Sequence, residues 1–197
     1  MTTAVGTTRD RLLRAAREVV EADGYAAASV IAVAERAGLS AGALYRHFPS
    51  KAELFTELFR QVCDREIAAM RTAADEVAAS DVARIEAVLT TFAQRALRNP
   101  RLAWALLAEP VDAAVDAERL AYRRRYADLL AGQLAEAIRA GELPDQDVGF
   151  TAAALVGGLG EALVGPLSTA NGSRNPADVV TQIRIFVRRA LGAPATP

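Results

Sequence analysis

Apolar residues recur at helical spacing along almost the whole chain, and no segment keeps the alternation of a half-buried strand. The first predicted helix runs from Thr8 to Asp23, with Leu12, Leu13, Ala16, Val19 and Val20 on one face. Gly24 stands where a helix should stop. A short helix follows, capped by Ser29 and ending near Ala37, with Val30, Val33 and Ala34 turned inward. Gly38-Leu39 makes a tight turn, and Ser40 caps a third helix to about Phe48. Pro49 breaks the chain there. Ser50 and Glu53 have the spacing of a capping box and open a long helix carrying Leu54, Leu58, Val62, Ile67 and Met70, to about Ala79. Further helices are expected at residues 81–98, 101–108, 111–140, 145–167 and 176–191. The pattern is all-α, without repeats or a long low-complexity linker.

Composition refines this picture little. Of 197 residues, 52% are hydrophobic and 24% charged, an ordinary globular balance. The net charge of −1 gives no global sign of nucleic acid. Residues 9–51 are mildly basic and the remainder acidic, which suits a DNA-binding head on a separate body. The single cysteine, Cys63, excludes an internal disulfide. The first eight residues lack a basic stretch followed by an apolar run, so no secretion signal is expected. Without one, the triplet Asn171-Gly172-Ser173 carries no glycosylation meaning. The segment 148–173 is apolar, but Glu161, Pro166 and several glycines interrupt it. A buried helix is expected rather than a membrane span.

The chemistry concentrates in residues 29–48. Two short helices joined by a Gly-containing turn form a helix-turn-helix, whose second helix enters the major groove of DNA. Ser40, Ala41, Gly42 and Ala43 are small enough for close approach. Leu44 and Phe48 would anchor that helix inward, leaving Tyr45, Arg46 and His47 directed outward. Enzyme chemistry finds little support: His47 and Cys63 are single residues on different helices, and the carboxylates form no motif. No second His or Cys lies near His47 at ligand spacing, so neither metal nor cofactor is expected. Arg123-Arg124-Arg125 spreads around a helix as a solvated surface would. Gly157-Gly158-Leu159-Gly160 lacks the strand and Lys-Ser/Thr of a phosphate loop.

The run from Ser29 to Leu54 closely resembles the head of the TetR family. Ala37-Gly38-Leu39-Ser40, then Gly42-Ala43-Leu44-Tyr45-Arg46-His47-Phe48, then Ser50-Lys51-Ala52-Glu53-Leu54 all stand at the family's spacing. Gly24-Tyr25 also fits. The resemblance covers about the first 60 residues. It implies about nine helices, a homodimer, a head over residues 1–53, and an effector-binding and dimerisation body over 54–197. It further implies operator DNA and a small-molecule effector as partners, a cytoplasmic setting, and most often repression. Position by position, Ser29, Ser40, Gly42, Tyr45, His47 and Lys51 match the family's DNA-facing places. Ser29, Lys51, Tyr45 and His47 would hold phosphates. Ala41 and Ala43 depart from the longer or hydroxylated residues common there. Base reading then leans on Arg46, Ser40 and alanine methyls. In the body, Phe92, Trp104, Tyr126 and Phe150 are expected to wall a ligand pocket, with Glu109 and Asp112, which flank Pro110, as polar anchors. The family's dimer contact falls on the last two helices, where Val179, Ile183, Phe186, Val187 and Leu191 form a stripe. The alternative is a helical small-molecule-binding dimer that no longer binds DNA.

Overall fold

A computed structural model describes residues 7–168 and 175–193. The glycosylation-like triplet at 171–173, most of the N-terminal stretch and the C-terminal tail lie outside them. Among the described residues there are nine helices and no strand: α1 Thr8–Ala27, α2 Val30–Arg36, α3 Ala41–Tyr45, α4 Lys51–Asp75, α5 Asp81–Arg98, α6 Pro100–Leu107, α7 Ala113–Arg139, α8 Val148–Leu167 and α9 Pro176–Ala190.

Local chemistry accounts for most of the boundaries. Thr7 and Asp10 form a complete capping box at the start of α1. Asp147 and Asn175 cap α8 and α9, with Pro176 in the first turn of α9. Helix α1 does not end at Asp23. Gly24 adopts φ 82°, kinking the chain, and a last helical turn continues to Ala27. Helix α4 ends at Asp75, short of Ala79, because the chain must turn for α5. Ser80 accepts the Ala83 N–H, and Arg84 donates to the Val77 carbonyl.

The chain divides into two compact units. The first holds the described residues through Val62 together with Arg101–Arg119. Within it, α1 packs on α2 and α2 on α3, around Leu12, Ala16, Val33, Leu44, Phe48 and Leu54, all nearly fully buried. The second unit holds Cys63–Pro100 and the described residues from Leu120 onward. There α5 packs against α8 and α9, and Arg188 of α9 pairs with Glu86 of α5 at 2.7 Å.

Helix α8 corrects one expectation. It is long and apolar enough to cross a membrane by length and composition, yet only 22% of its apolar window is buried. One stripe, Ala152, Leu155, Leu159, Leu163 and Leu167, meets the core. The opposite face keeps Phe150 75% exposed. An apolar helix read from sequence alone gives no sign of which of its faces the protomer covers.

Candidate nucleic-acid interface

The helix-turn-helix is built by three serine caps and one glycine. Ser29 Oγ accepts the Ala32 N–H at 3.1 Å and fixes the start of α2. At its end Gly38 takes φ 66°. The Gly38 N–H then reaches the Glu35 carbonyl and the Leu39 N–H the Ala34 carbonyl, both at 2.9 Å, closing a Schellman turn. Ser40 caps α3 through the Ala43 N–H at 3.2 Å. Helix α3 ends at Tyr45 rather than Phe48, and residues 46–47 form a turn. Pro49 disfavours helical backbone at the residue before it. Ser50 Oγ accepts the Glu53 N–H at 3.1 Å, so one half of the expected capping box opens α4.

Two arginines of α1, not singled out in the sequence, brace this assembly. Arg11 donates to the Ala37 carbonyl at 2.7 Å, at the C-cap of α2. The Arg9 guanidinium lies 4.5 Å over the Phe48 ring and pairs with Glu57 at 3.5 Å. Their signal was faint: two basic residues two apart in a first helical turn.

On the outside, Ser29, Ser40, Gly42, Tyr45, Arg46 and His47 are exposed, while Ala41, Ala43 and Lys51 are half-buried. Leu44 and Phe48 are buried, as their spacing predicts. Gly42 has room for a side chain: a Cβ there would come no closer than 4.0 Å to Ser40 Oγ. Nothing inside the protein demands its smallness. Ile31, in the first turn of α2, is an exposed apolar side chain that helical periodicity alone did not mark.

Lys51, the first residue of α4, is the only lysine among 23 basic residues. Its ammonium stands 4.7 Å from the centroid of the Tyr25 ring and 5.6 Å from that of Phe55. The two rings meet edge to face at 4.9 Å. Tyr25 is buried, and its hydroxyl donates to the Asp112 carboxylate. Burial first, and then that carboxylate, push the phenol's pKa upward.

Of the five expected ligand-pocket residues, Trp104 and Glu109 belong to the first unit and Phe92, Tyr126 and Phe150 to the second. Phe92 and Tyr126 meet edge to face at 5.6 Å in the second unit, with Tyr122 at 6.4 Å from Tyr126. Cys63 is buried there, and burial pushes its thiol up to about 12. Gln133 Oε1, two helical turns beyond Tyr126, is buried without a hydrogen-bond partner. Phe150 instead lies exposed on α8, and Trp104 belongs to the first unit. Glu109, expected as a ligand anchor, has both carboxylate oxygens engaged. They accept the Tyr25 and Ala26 N–H groups, each at 2.9 Å.

Comparison with known proteins adds four findings. The family described as bacterial regulatory proteins, tetR family, matches residues 12–58. The nucleoid occlusion factor SlmA of Marinomonas sp. (strain MWYL1) is 32% identical over 136 residues, 68% of either chain. The HTH-type transcriptional regulator UidR of Escherichia coli (strain K12) is 33% identical over 116 residues, 52% of this chain and 59% of that one. Among solved structures, the transcriptional regulator FadR from Bacillus subtilis, in complex with stearoyl-CoA, superposes with a TM-score of 0.78 at 20% identity. That match covers 94% of this chain and 99% of FadR.

Proposed function

Since the chain belongs to the TetR family of bacterial regulatory proteins, and is therefore a DNA-binding transcriptional regulator, we propose that it acts as a homodimeric repressor released from its operator by a small-molecule effector. The observation that carries this reading is the outward face of the helix-turn-helix. Ser29, Tyr45, His47 and Lys51 lie in or beside it with polar groups able to meet phosphate oxygens. Ser40, Ala41, Gly42 and Ala43 form a low surface at the N-terminal end of α3, the end that faces base edges in this motif. Free space at Gly42 supports close approach of something from outside. Arg46 is exposed and, among the described residues, has no ion-pair partner, so its fork is available for a guanine edge or a phosphate.

Dimerisation is assigned to α8 and α9. An open groove of about 330 Å³ runs between them, lined by Leu159, Pro166, Ile183 and Phe186 among others. Phe150, Ile185 and Phe186 are exposed apolar side chains on these two helices. A second copy would cover them in a four-helix contact.

The effector reading rests on the second unit. Phe92, Tyr122 and Tyr126 form an aromatic cluster there, and Gln133 Oε1 is buried without a hydrogen-bond partner among the described residues; both suit the lining of an effector site. Stearoyl-CoA, held by the Bacillus subtilis FadR, is the first probe to try. Action on DNA puts the protein in the cytoplasm.

Selection of duplexes from a random pool by the purified protein tests the whole reading. The expected product is a palindrome with half-sites one helical turn or a multiple apart, retained at low salt and released by the effector. Failure to enrich any sequence at low salt would leave only the small-molecule-binding alternative.

A further inference from the structure

The acids that hold Tyr25 stand 84 and 87 residues away from it, on the turn between α6 and α7. Glu109 spans two consecutive N–H groups just past the Gly24 kink, and Asp112 accepts the hydrogen bond of the Tyr25 hydroxyl. The turn carrying them is itself pinned. Arg119 donates to the Leu106 and Glu109 carbonyls at 2.9 Å each and to the Ala105 carbonyl at 3.2 Å. The ammonium of Lys51 lies over the Tyr25 ring, 4.7 Å from its centroid. A cation in the first turn of a helix has the unfavourable sign for the helix dipole. Among the described residues no carboxylate pairs with it. What holds the charge there is the faces of two rings. A phenol that donates to a carboxylate gains electron density in its ring, which strengthens its attraction for a cation above it.

We propose that Glu109 and Asp112 are positioning residues of the DNA-binding head, which fix Tyr25 beneath Lys51 and thereby set where the chain's one lysine presents its charge to a backbone phosphate. The proposal rests on the phosphate role given to Lys51 above. It makes the α6–α7 turn part of the DNA-reading machinery and gives Glu109 a task other than ligand binding.

Because the chain has one lysine, lysine-selective ¹³C labelling yields a single ε-methylene signal. In the wild type that signal is expected upfield, shifted by the currents of the two rings. Asp112→Ala and Glu109→Gln should move it toward the value of an unstructured lysine. On a duplex selected by the wild-type protein, each should weaken binding by about 2- to 5-fold, the size of a cation–π contact. In a Lys51→Ala background neither should weaken it further. Tyr25→Phe, which removes only the hydroxyl oxygen, serves as the milder variant if either acid replacement fails to fold, and should show the same dependence on Lys51. An unmoved ε-methylene signal, or an equal loss of affinity with and without Lys51, would overturn the proposal. If Lys51→Ala alone bound as well as wild type, the phosphate assignment would fall, and this inference with it. If Lys51→Ala weakened binding while the acid variants did not, only this inference would fall.

Discussion

In the proposed reading, Arg46, at the C-cap of α3, carries most of the base-reading capacity of that helix. Its neighbours Ala41 and Ala43 offer only methyl groups, and Ser40 has its Oγ engaged as a cap. A bidentate arginine–guanine contact is worth about 1–3 kcal/mol against the wrong base. Arg46→Ala should therefore flatten the preference at one position of each half-site in a repeated selection, while the rest of the palindrome persists. A selected site identical to that of the wild type would move base reading to Ser40, the alanine methyls or DNA shape. Lys51 should behave in the opposite way, weakening every sequence alike. Around the head, single residues were legible in sequence wherever the cause is local. Ser29, Ser40 and Gly38 announce caps and a turn through their own backbone chemistry. Glu109 and Asp112 were visible only as two acids flanking Pro110. Contacts spanning more than eighty residues leave no periodicity to read.

At the scale of elements, α8 and α9 hold the clearest unspent surface. Four of the five stripe residues on α9, Val179, Ile183, Val187 and Leu191, are buried. Phe186 remains 47% exposed, over Gly158 of α8, where a Cβ would meet its ring at 3.5 Å. Phe186→Glu should put a charge at the centre of the proposed interface and convert the dimer to monomer in sedimentation, with far-ultraviolet circular dichroism unchanged. A persistent dimer would place the contact elsewhere. Periodicity found these helices but misjudged what covers them. In α9 the polar residues separate the faces. In α8 the apolar residues run all round, so sequence alone left the choice between core and interface open. Element ends were missed where tertiary needs intervened, as at Gly24. There the carboxylate of Glu109 satisfies two N–H groups and lets α1 resume for one turn.

For the molecule as a whole, residues 1–53 were expected to form the head. The described residues among them belong to a compact unit that also holds residues up to Val62 and Arg101–Arg119. Sequence could mark the first part by its motif. It had no means of marking the second, whose membership depends on Arg101 reaching the Ala22 carbonyl and Arg60 pairing with Glu118, besides the two acids on Tyr25. A head built this way answers to more of the chain than its motif covers, as the proposed effector response would need. The head is proposed to grip DNA through its phosphates, with Lys51 as one of the grips. The most direct test is the salt dependence of binding to one selected duplex, wild type against Lys51→Ala. Each phosphate contact contributes roughly −0.9 to the slope of log affinity against log salt. The account predicts a steep negative slope for the wild type, a slope shallower by about 1 per lysine lost from the contact surface, and an equal fractional loss of affinity on unrelated duplexes. An unchanged slope and affinity in Lys51→Ala would contradict it.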